Sequence, residues 1–336
     1  MGLVSSRDKT PCQSVNLATY KERMAPMSKK TLAPSVVVVT ARDSKGLKFM
    51  SIVEAAYNKA GLQDGPEGTP EGEAQRVNEA TGLADLIGEF IKKHRYLETF
   101  ENEEVSSSYG YLSGYKPFGL TGQTNRLREL FSGLGFANQD LLQQIENGQV
   151  KLPKGAEGWF AIPNWMKNPG IFGETYAEAV QKVLIMIKQA RDGKFYNYRE
   201  GLIDNKHLRQ SAKALEAWKQ VAEAQGNPDI LIVAGQFGLR HRGRSVRRAR
   251  VVMTSGEFGL GAFAIGCMLL THPKRLMNYN DLWIDCAGDE FSPDGDGDFS
   301  VAPFFRFDDV KVWFDTRYVD DANDRYGTAS GFPSQS

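Results

Sequence analysis

Residues 227–290 read NPDILIVAGQFGLRHRGRSVRRARVVMTSGEFGLGAFAIGCMLLTHPKRLMNYNDLWIDCAGDE and carry most of the information on fold class. The apolar run at residues 229–234 is short and β-branched, which is typical of a strand buried on both faces of a parallel sheet. Residues 256–271 are apolar on every side and predict a buried helix, and residues 282–286 form a second strand-like run. Alternation of strands and helices predicts an α/β fold with a mostly parallel sheet covered by helices.

The rest of the chain divides by composition and periodicity. Thr175 and Glu178 have the spacing of a capping box ahead of an amphipathic helix, and residues from Val301 onward alternate as in a β-hairpin. Valine-rich residues 35–40 predict a strand, residues 47–60 a short helix and residues 73–96 a longer one. We therefore expect a disordered extension at residues 1–34, a smaller and mainly helical region at 35–150, an α/β core with its hairpin at 151–320, and a loose tail at 321–336.

Composition limits the classes of protein only weakly. Lysine plus arginine and aspartate plus glutamate both total 41 in 336 residues, so the net charge of zero predicts no partner. The three cysteines share no useful spacing, which fits a reducing compartment. We find neither a signal-peptide pattern nor an apolar run of about 20 residues, so we expect a cytoplasmic protein that does not enter membranes.

Positive charge is concentrated between residues 240 and 250, where no acidic residue interrupts it. Guanidinium groups chelate phosphate through paired hydrogen bonds, so an arginine cluster is a candidate site for a phosphate-rich ligand. The leading hypothesis is a binding protein for RNA or DNA, with a phosphorylated small molecule as another possible ligand. The predicted contacts are Arg240, Arg242, Arg244, Ser245, Arg247, Arg248 and Arg250.

An enzymatic alternative rests on the same region. Gly238 to Ser245 follows a predicted strand, as a phosphate-cradling loop does, and Ser245 is predicted as the N-cap of the helix that comes next. Arg244 stands where such loops have lysine. Downstream carboxylates would then hold Mg²⁺ for phosphoryl or nucleotidyl transfer. The predicted metal ligands are Asp285, Asp289 and Glu290. The sequence alone leaves open whether the protein is an enzyme.

A third hypothesis gives both charged blocks a structural or interaction role. From Asp281 to Asp298 every charged residue is acidic, so this block offers partners for the arginines. Asp294, Asp296 and Asp298 also alternate as in calcium loops, but the later positions lack the glycine and glutamate that such loops need. Tyr196, Tyr198 and Arg199 would supply stacking surface to a nucleic acid, although the sequence does not fix them in space.

Overall fold

The structure is a computed structural model that describes residues 51, 53–58, 82, 86–87, 99–253 and 256–333. The chain separates into two compact units, Met1–Leu83 and Ala84–Ser336. In the first unit, residues 53–58 are helical, within the helix predicted at 47–60. The extension at residues 1–34 and the strand at 35–40 lie outside the described residues, as does most of the helix predicted at 73–96.

Seven α-helices of the second unit are described. They are α1 Leu120–Leu130, α2 Gln139–Glu146, α3 Pro169–Phe172, α4 Tyr176–Ala190, α5 Ala212–Ala224, α6 Val246–Val252 and α7 Ala262–Thr271. The predicted capping box is confirmed at the start of α4, where Thr175 and Glu178 each bond the other's backbone N–H. Ser245 is confirmed as the N-cap of α6, because its hydroxyl accepts a hydrogen bond from the Arg248 N–H.

The same unit contains eleven described strands and several 3₁₀ turns. The strands are β1 Gly158–Pro163, β2 Phe195–Asn197, β3 Leu208–Gln210, β4 Ile230–Gln236, β5 Phe258–Gly259, β6 Trp283–Asp285, β7 Asp289–Phe291, β8 Val301–Asp308, β9 Lys311–Tyr318, β10 Tyr326–Thr328 and β11 Ser330–Phe332. The predicted hairpin is confirmed as β8 and β9. Its connecting residues Asp309 and Val310 both have positive φ, which is the geometry of a two-residue type I′ turn. Residues 321–336, predicted as a loose tail, include β10 and β11.

The strands form two sheets, and the prediction of a mostly parallel sheet covered by helices is wrong. The first sheet has the order β1–β4–β11–β5, and all its pairs are antiparallel. The second is mixed: β8 pairs with β6, β7 and β9, while β10 on β6 and β2 on β9 are its parallel pairs. β4 is buried along its whole length, as predicted. Burial on both faces does not fix strand direction, and both neighbours of β4 run opposite to it.

Helix α7 lies at the centre of the hydrophobic core. All ten of its residues are buried, so the predicted buried helix is confirmed over Ala262–Thr271. It packs against α1, α4 and β1. Gly266 makes the contact with α4 possible, since a Cβ there would lie 2.3 Å from a methyl carbon of Val183. Among the described residues, no helix combines the length and apolar character that crossing a membrane requires.

Candidate functional site

The arginine segment, residues 240–250, runs from a 3₁₀ turn at Leu239–His241 into α6. Three of its guanidinium groups pair with Glu103 and Glu104, which lie far away in sequence. Arg247 Nε lies 2.8 and 2.9 Å from the two carboxylate oxygens of Glu103, and Arg244 Nε lies 3.2 Å from Glu104. Arg248 is buried and donates to Glu104 as well. These side chains hold the two glutamates against the N-terminal end of α6.

Two other members of the segment also point inward. Arg250 donates to the carbonyl oxygens of Ala287 and Asp289 at 2.9 and 2.6 Å. Ser245 is fully buried and donates to Glu103 at 2.6 Å. By contrast, Arg242 is exposed, and its Nη1 donates to the carbonyl oxygen of Tyr109 at 3.0 Å. Arg240 is exposed too but pairs with Glu257, so Arg242 is the exposed arginine of the segment that has no carboxylate partner among the described residues.

Glu257 is the centre of a buried polar cluster. Arg240 Nε lies 3.1 Å from each of its oxygens, His241 Nε2 lies 2.7 Å from Oε1, and the Ser330 hydroxyl donates to Oε1 at 2.5 Å. A guanidinium can only donate, so the 3.0 Å contact of Arg244 Nη1 with His241 Nδ1 makes that nitrogen the acceptor. Neutral His241 therefore carries its proton on Nε2 and donates it to Glu257.

Electrostatics favour the ionised form of Glu257 and the neutral form of His241. Burial opposes ionisation of Glu257, but hydrogen bonds from His241 and Ser330, together with the charges of Arg240 and of His241 when it is protonated, lower the pKa of Glu257 to about 2. Burial lowers the pKa of His241 more than Glu257 raises it. The cluster ties the 3₁₀ turn to β11, which contains Ser330. Because Glu257 is buried and is paired with Arg240, His241 and Ser330, the cluster indicates a structural role.

The loop from Gly238 to Ser245 uses its glycines for backbone packing. Gly238 has a φ of 126°, and a Cβ there would lie 2.8 Å from the carbonyl oxygen of Gly327. Gly243 has a φ of 76°, and its Cβ would lie 2.1 Å from the carbonyl oxygen of Val105. Glycine is therefore required at both positions by left-handed backbone and close approach, independently of any phosphate.

The three carboxylates predicted to hold Mg²⁺ face different partners. Asp289 accepts from the Tyr176 hydroxyl at 2.7 Å and from the Ala262 N–H at 2.6 Å. Glu290 pairs with Arg209 at 2.8 Å. Asp285 is fully buried, and an oxygen of its carboxylate lies 3.9 Å from Arg317 Nε. Among the described residues, no group of three or more His, Cys, Asp or Glu side chains is arranged to hold a metal ion.

Burial raises the pKa of Asp285 to about 6 and that of Asp289 to about 7. For Asp289, hydrogen bonds from Ala262 and Tyr176 favour the ionised form but do not offset the loss of hydration. An acid whose folded pKa exceeds its unfolded value binds a proton in the folded state over the interval between them. Its contribution to stability is therefore largest below about pH 4 and declines as pH rises towards 7.

Replacement of Asp289 by asparagine tests this linkage. An amide can still accept from the Ala262 N–H and can donate to the Tyr176 hydroxyl. We expect the free energy of unfolding of Asp289→Asn, relative to wild type, to increase by about 1.4 kcal/mol per pH unit between pH 4.5 and 6.5. Urea titrations across that range measure it, with exposed Asp298→Asn as control. A pH-independent difference would contradict the assignment.

The second sheet presents a row of aromatic and arginine side chains on one face. The strands β2, β9, β8, β6 and β10 are successive neighbours, and the register places Trp313 beside both Tyr196 and Arg306. Trp283 lies opposite Tyr326. Ring centroids of Tyr196 and Trp313 are 5.1 Å apart. Arg306 Cζ bridges two rings, 4.9 Å from Trp313 and 5.0 Å from Trp283.

The row continues beyond the strands at both ends. Tyr198 lies 4.8 Å from Trp313. At the other end, Arg325 Cζ lies 5.9 Å from the Trp283 ring, 4.7 Å from Tyr279 and 5.3 Å from Tyr109. We call this surface the aromatic ladder; it comprises Tyr196, Tyr198, Trp313, Arg306, Trp283, Arg325, Tyr279 and Tyr109.

The aromatic ladder is accessible towards its two ends, whereas Trp283 at its centre is only 8% exposed. Tyr196, Tyr198 and Tyr279 are 47%, 46% and 49% exposed. With neighbouring strands roughly 4.8 Å apart, the row from β2 to β10 extends about 19 Å. Arg242 adjoins its far end through the Tyr109 carbonyl. Acidic neighbours are present too: Asp308 lies 3.7 Å from Arg306.

Sequence reasoning identified Tyr196, Tyr198 and Arg199 as possible stacking residues but missed the other members of the ladder. Arg199 is paired with Asp315 at 2.8 Å. One available signal was the alternation in β9, which places Trp313 and Asp315 on the same face. The other members of the ladder come from separate segments of the chain, so the sequence spacing between them could not predict that they lie side by side.

No protein-family model matches the chain, and no curated protein or solved structure shows detectable similarity to it.

Proposed function

We propose that this protein binds single-stranded RNA or DNA along the aromatic ladder. The observation that carries the proposal is the continuous series of ring–ring and guanidinium–ring contacts across one face of the second sheet. Exposed rings on a sheet face provide stacking platforms for unpaired bases, and sheet-based RNA-binding modules stack two or three bases in this way. A row of about 19 Å suits a strand of a few nucleotides.

Alternation of rings with arginines favours a nucleic acid over an uncharged sugar chain. Arg306 lies over the rings of two ladder residues and Arg325 over those of three, and a guanidinium held in this way can pair with a neighbouring phosphate. An oligosaccharide would use the rings but would offer no negative charge to the guanidiniums. The arginines therefore favour a nucleic acid as strongly as the rings do.

Most of the arginine segment lies outside the proposed nucleic-acid contact surface. Arg242 is the member we assign to phosphate contact, since it is exposed beside Tyr109. The others donate to glutamates or to backbone carbonyls, and freeing them would leave buried acceptors without partners. Magnesium-dependent phosphoryl transfer has no support from these side chains, because Asp285, Asp289 and Glu290 face separate partners. We propose the cytoplasm as the compartment, where RNA is available.

Fluorescence anisotropy with labelled 12-nucleotide oligo(U) and oligo(dT) in 50 mM salt tests the proposal. We expect Tyr196→Ala and Trp313→Ala each to weaken binding by about 5- to 150-fold, since stacking contributes about 1–3 kcal/mol per base. Tyr318→Ala is the matched control, because Tyr318 is 65% exposed on β9 but alternates to the opposite face. Binding by this variant should equal that of wild type.

A salt series adds a second readout. Each phosphate contact on a single strand contributes about 0.7 to the slope of log affinity against log salt. The Arg306→Gln, Arg325→Gln double variant should therefore have a slope shallower by up to about 1.4. The proposal fails if wild type binds neither oligonucleotide, or if it binds maltohexaose or chitohexaose instead.

A further inference from the structure

The outer edge of the second sheet at β2 borders a groove of about 470 Å³. One wall is a face of α4, represented by Gln181, Ile185 and Lys188 at helical spacing. The other walls are β2 itself and the chain from Glu200 to Ile203. Ile185 is 52% exposed in this groove, although it belongs to a helix whose opposite face is buried. An apolar side chain is thus displayed beside a strand edge.

The backbone of β2 has hydrogen-bonding capacity directed away from its partner strand. In a parallel pair, alternate residues bond to the neighbour, and here Lys194 and Tyr198 are among those that bond to β9. The intervening Phe195 and Asn197 therefore direct their peptide groups towards the free edge. Phe195 N–H is taken up by a local turn to Gly193. None of the described residues pairs with the Asn197 N–H or with the carbonyls of Phe195 and Asn197, so these groups can receive another strand.

Lys188 and Glu200 place opposite charges at the two ends of the groove, and these fix the charge order of a strand that pairs antiparallel with β2. α4 leads through a short turn into β2, so Lys188 lies near the Phe195 end. Gln181 donates to the Ile203 carbonyl, which places the other end of α4 beside the segment that contains Glu200. An antiparallel strand therefore begins near Glu200 and finishes near Lys188. Complementarity requires a cation at its start and an anion at its end.

We infer that this groove binds an extended segment of a partner protein, added as an antiparallel strand on the edge of β2. The segment has alternating apolar residues that pack on Ile185, preceded by a basic residue and followed by an acidic one. Main-chain hydrogen bonds give affinity in this recognition mode, and pockets for alternate side chains give selectivity. The groove is distinct from the aromatic ladder except for Tyr196, which contributes to both.

A fluorescein-labelled peptide Lys-Val-Thr-Val-Thr-Val-Glu, with blocked ends, is the probe. Asn197→Pro removes the outward N–H without touching a bond to β9, and proline is tolerated on edge strands. Asn197→Ala is the matched control, since it loses the same side chain but keeps the N–H. We expect anisotropy to show binding to wild type and Asn197→Ala within threefold of each other. Asn197→Pro should bind at least about tenfold more weakly.

The charge-reversed peptide Glu-Val-Thr-Val-Thr-Val-Lys should bind more weakly than the probe. If Asn197→Pro has a lowered melting temperature, a second probe replaces it: the same peptide N-methylated at its central valine. N-methylation blocks backbone pairing from the ligand side, so this peptide should also bind more weakly to wild type. The inference is overturned if wild type does not bind the probe at 1 mM. It is equally overturned if backbone blocking has no effect, or if Ile185→Glu leaves peptide binding unchanged.

Discussion

Glu257→Ala should lower the free energy of unfolding by about 3–5 kcal/mol, the effect expected when one partner of a buried ionic cluster is removed. Glu257 is only 1% exposed, and its removal leaves Arg240, His241 and Ser330 without their common hydrogen-bond acceptor. Chemical denaturation at pH 7 measures the loss. Glu290→Ala is the control, since its pair with Arg209 is on the surface and contributes roughly 0–1 kcal/mol.

The same carboxylate has a defined pH signature. Its folded pKa of about 2 lies below the unfolded value of 4.5, so ionised Glu257 stabilises the fold fully above about pH 4.5. That stabilisation is about 3 kcal/mol and declines as pH falls towards 2. The destabilisation caused by Glu257→Ala should therefore shrink on acidification. A variant as stable as wild type at pH 7 would show that the cluster does not hold the 3₁₀ turn to β11.

Gly288→Ala should destabilise the fold by about 3 kcal/mol or more, at the upper end of what overpacking costs. A Cβ at this position would lie 2.4 Å from the carbonyl oxygen of Gly259 and 2.7 Å from the Gly261 nitrogen. Both are backbone atoms, so neither can move aside as a flexible side chain would. Gly259 belongs to the first sheet and Gly288 lies between β6 and β7 of the second. The substitution therefore forces the two sheets apart.

Gly170→Ala provides the matched control for this effect. A Cβ on Gly170 meets no heavy atom within 4 Å, and the residue lies in the short helix α3. Thermal melts of both variants should show a clear decrease for Gly288→Ala and little change for Gly170→Ala. Equal melting temperatures would mean that the contact between the sheets has room for a methyl group.

The elements that sequence analysis predicted correctly depend on local physics. The Thr175 capping box, the Ser245 N-cap and the alternation in β8 and β9 each involve residues a few positions apart. Burial of β4 and α7 followed from their apolar composition alone. Strand direction could not be obtained in this way, because it is set by which distant segments become neighbours. β11 pairs with β4 across 94 residues, for example, measured between Gln236 and Ser330.

The candidate site shows the same division. The arginine segment was visible as a block of charge, but its partners Glu103 and Glu104 lie about 140 residues earlier, as the separation of 144 between Arg247 and Glu103 shows. Nothing in their local sequence marks them as its partners. Tyr196 was predicted as a possible stacking residue together with the nearby Tyr198. Trp313 and Arg306 join it only through strand register, which depends on the turn at Asp309 and Val310.

The position of β11 in the first sheet has a consequence for biosynthesis. β11 lies between β4 and β5, both of which leave the ribosome before it does. Until residues 330–332 emerge, one edge of the apolar strand β4 has no neighbouring strand. Such an edge is prone to pair with other chains. Nascent chains halted between residues 260 and 320 should therefore recruit holding chaperones. Protection should follow only after the last strand has been inserted.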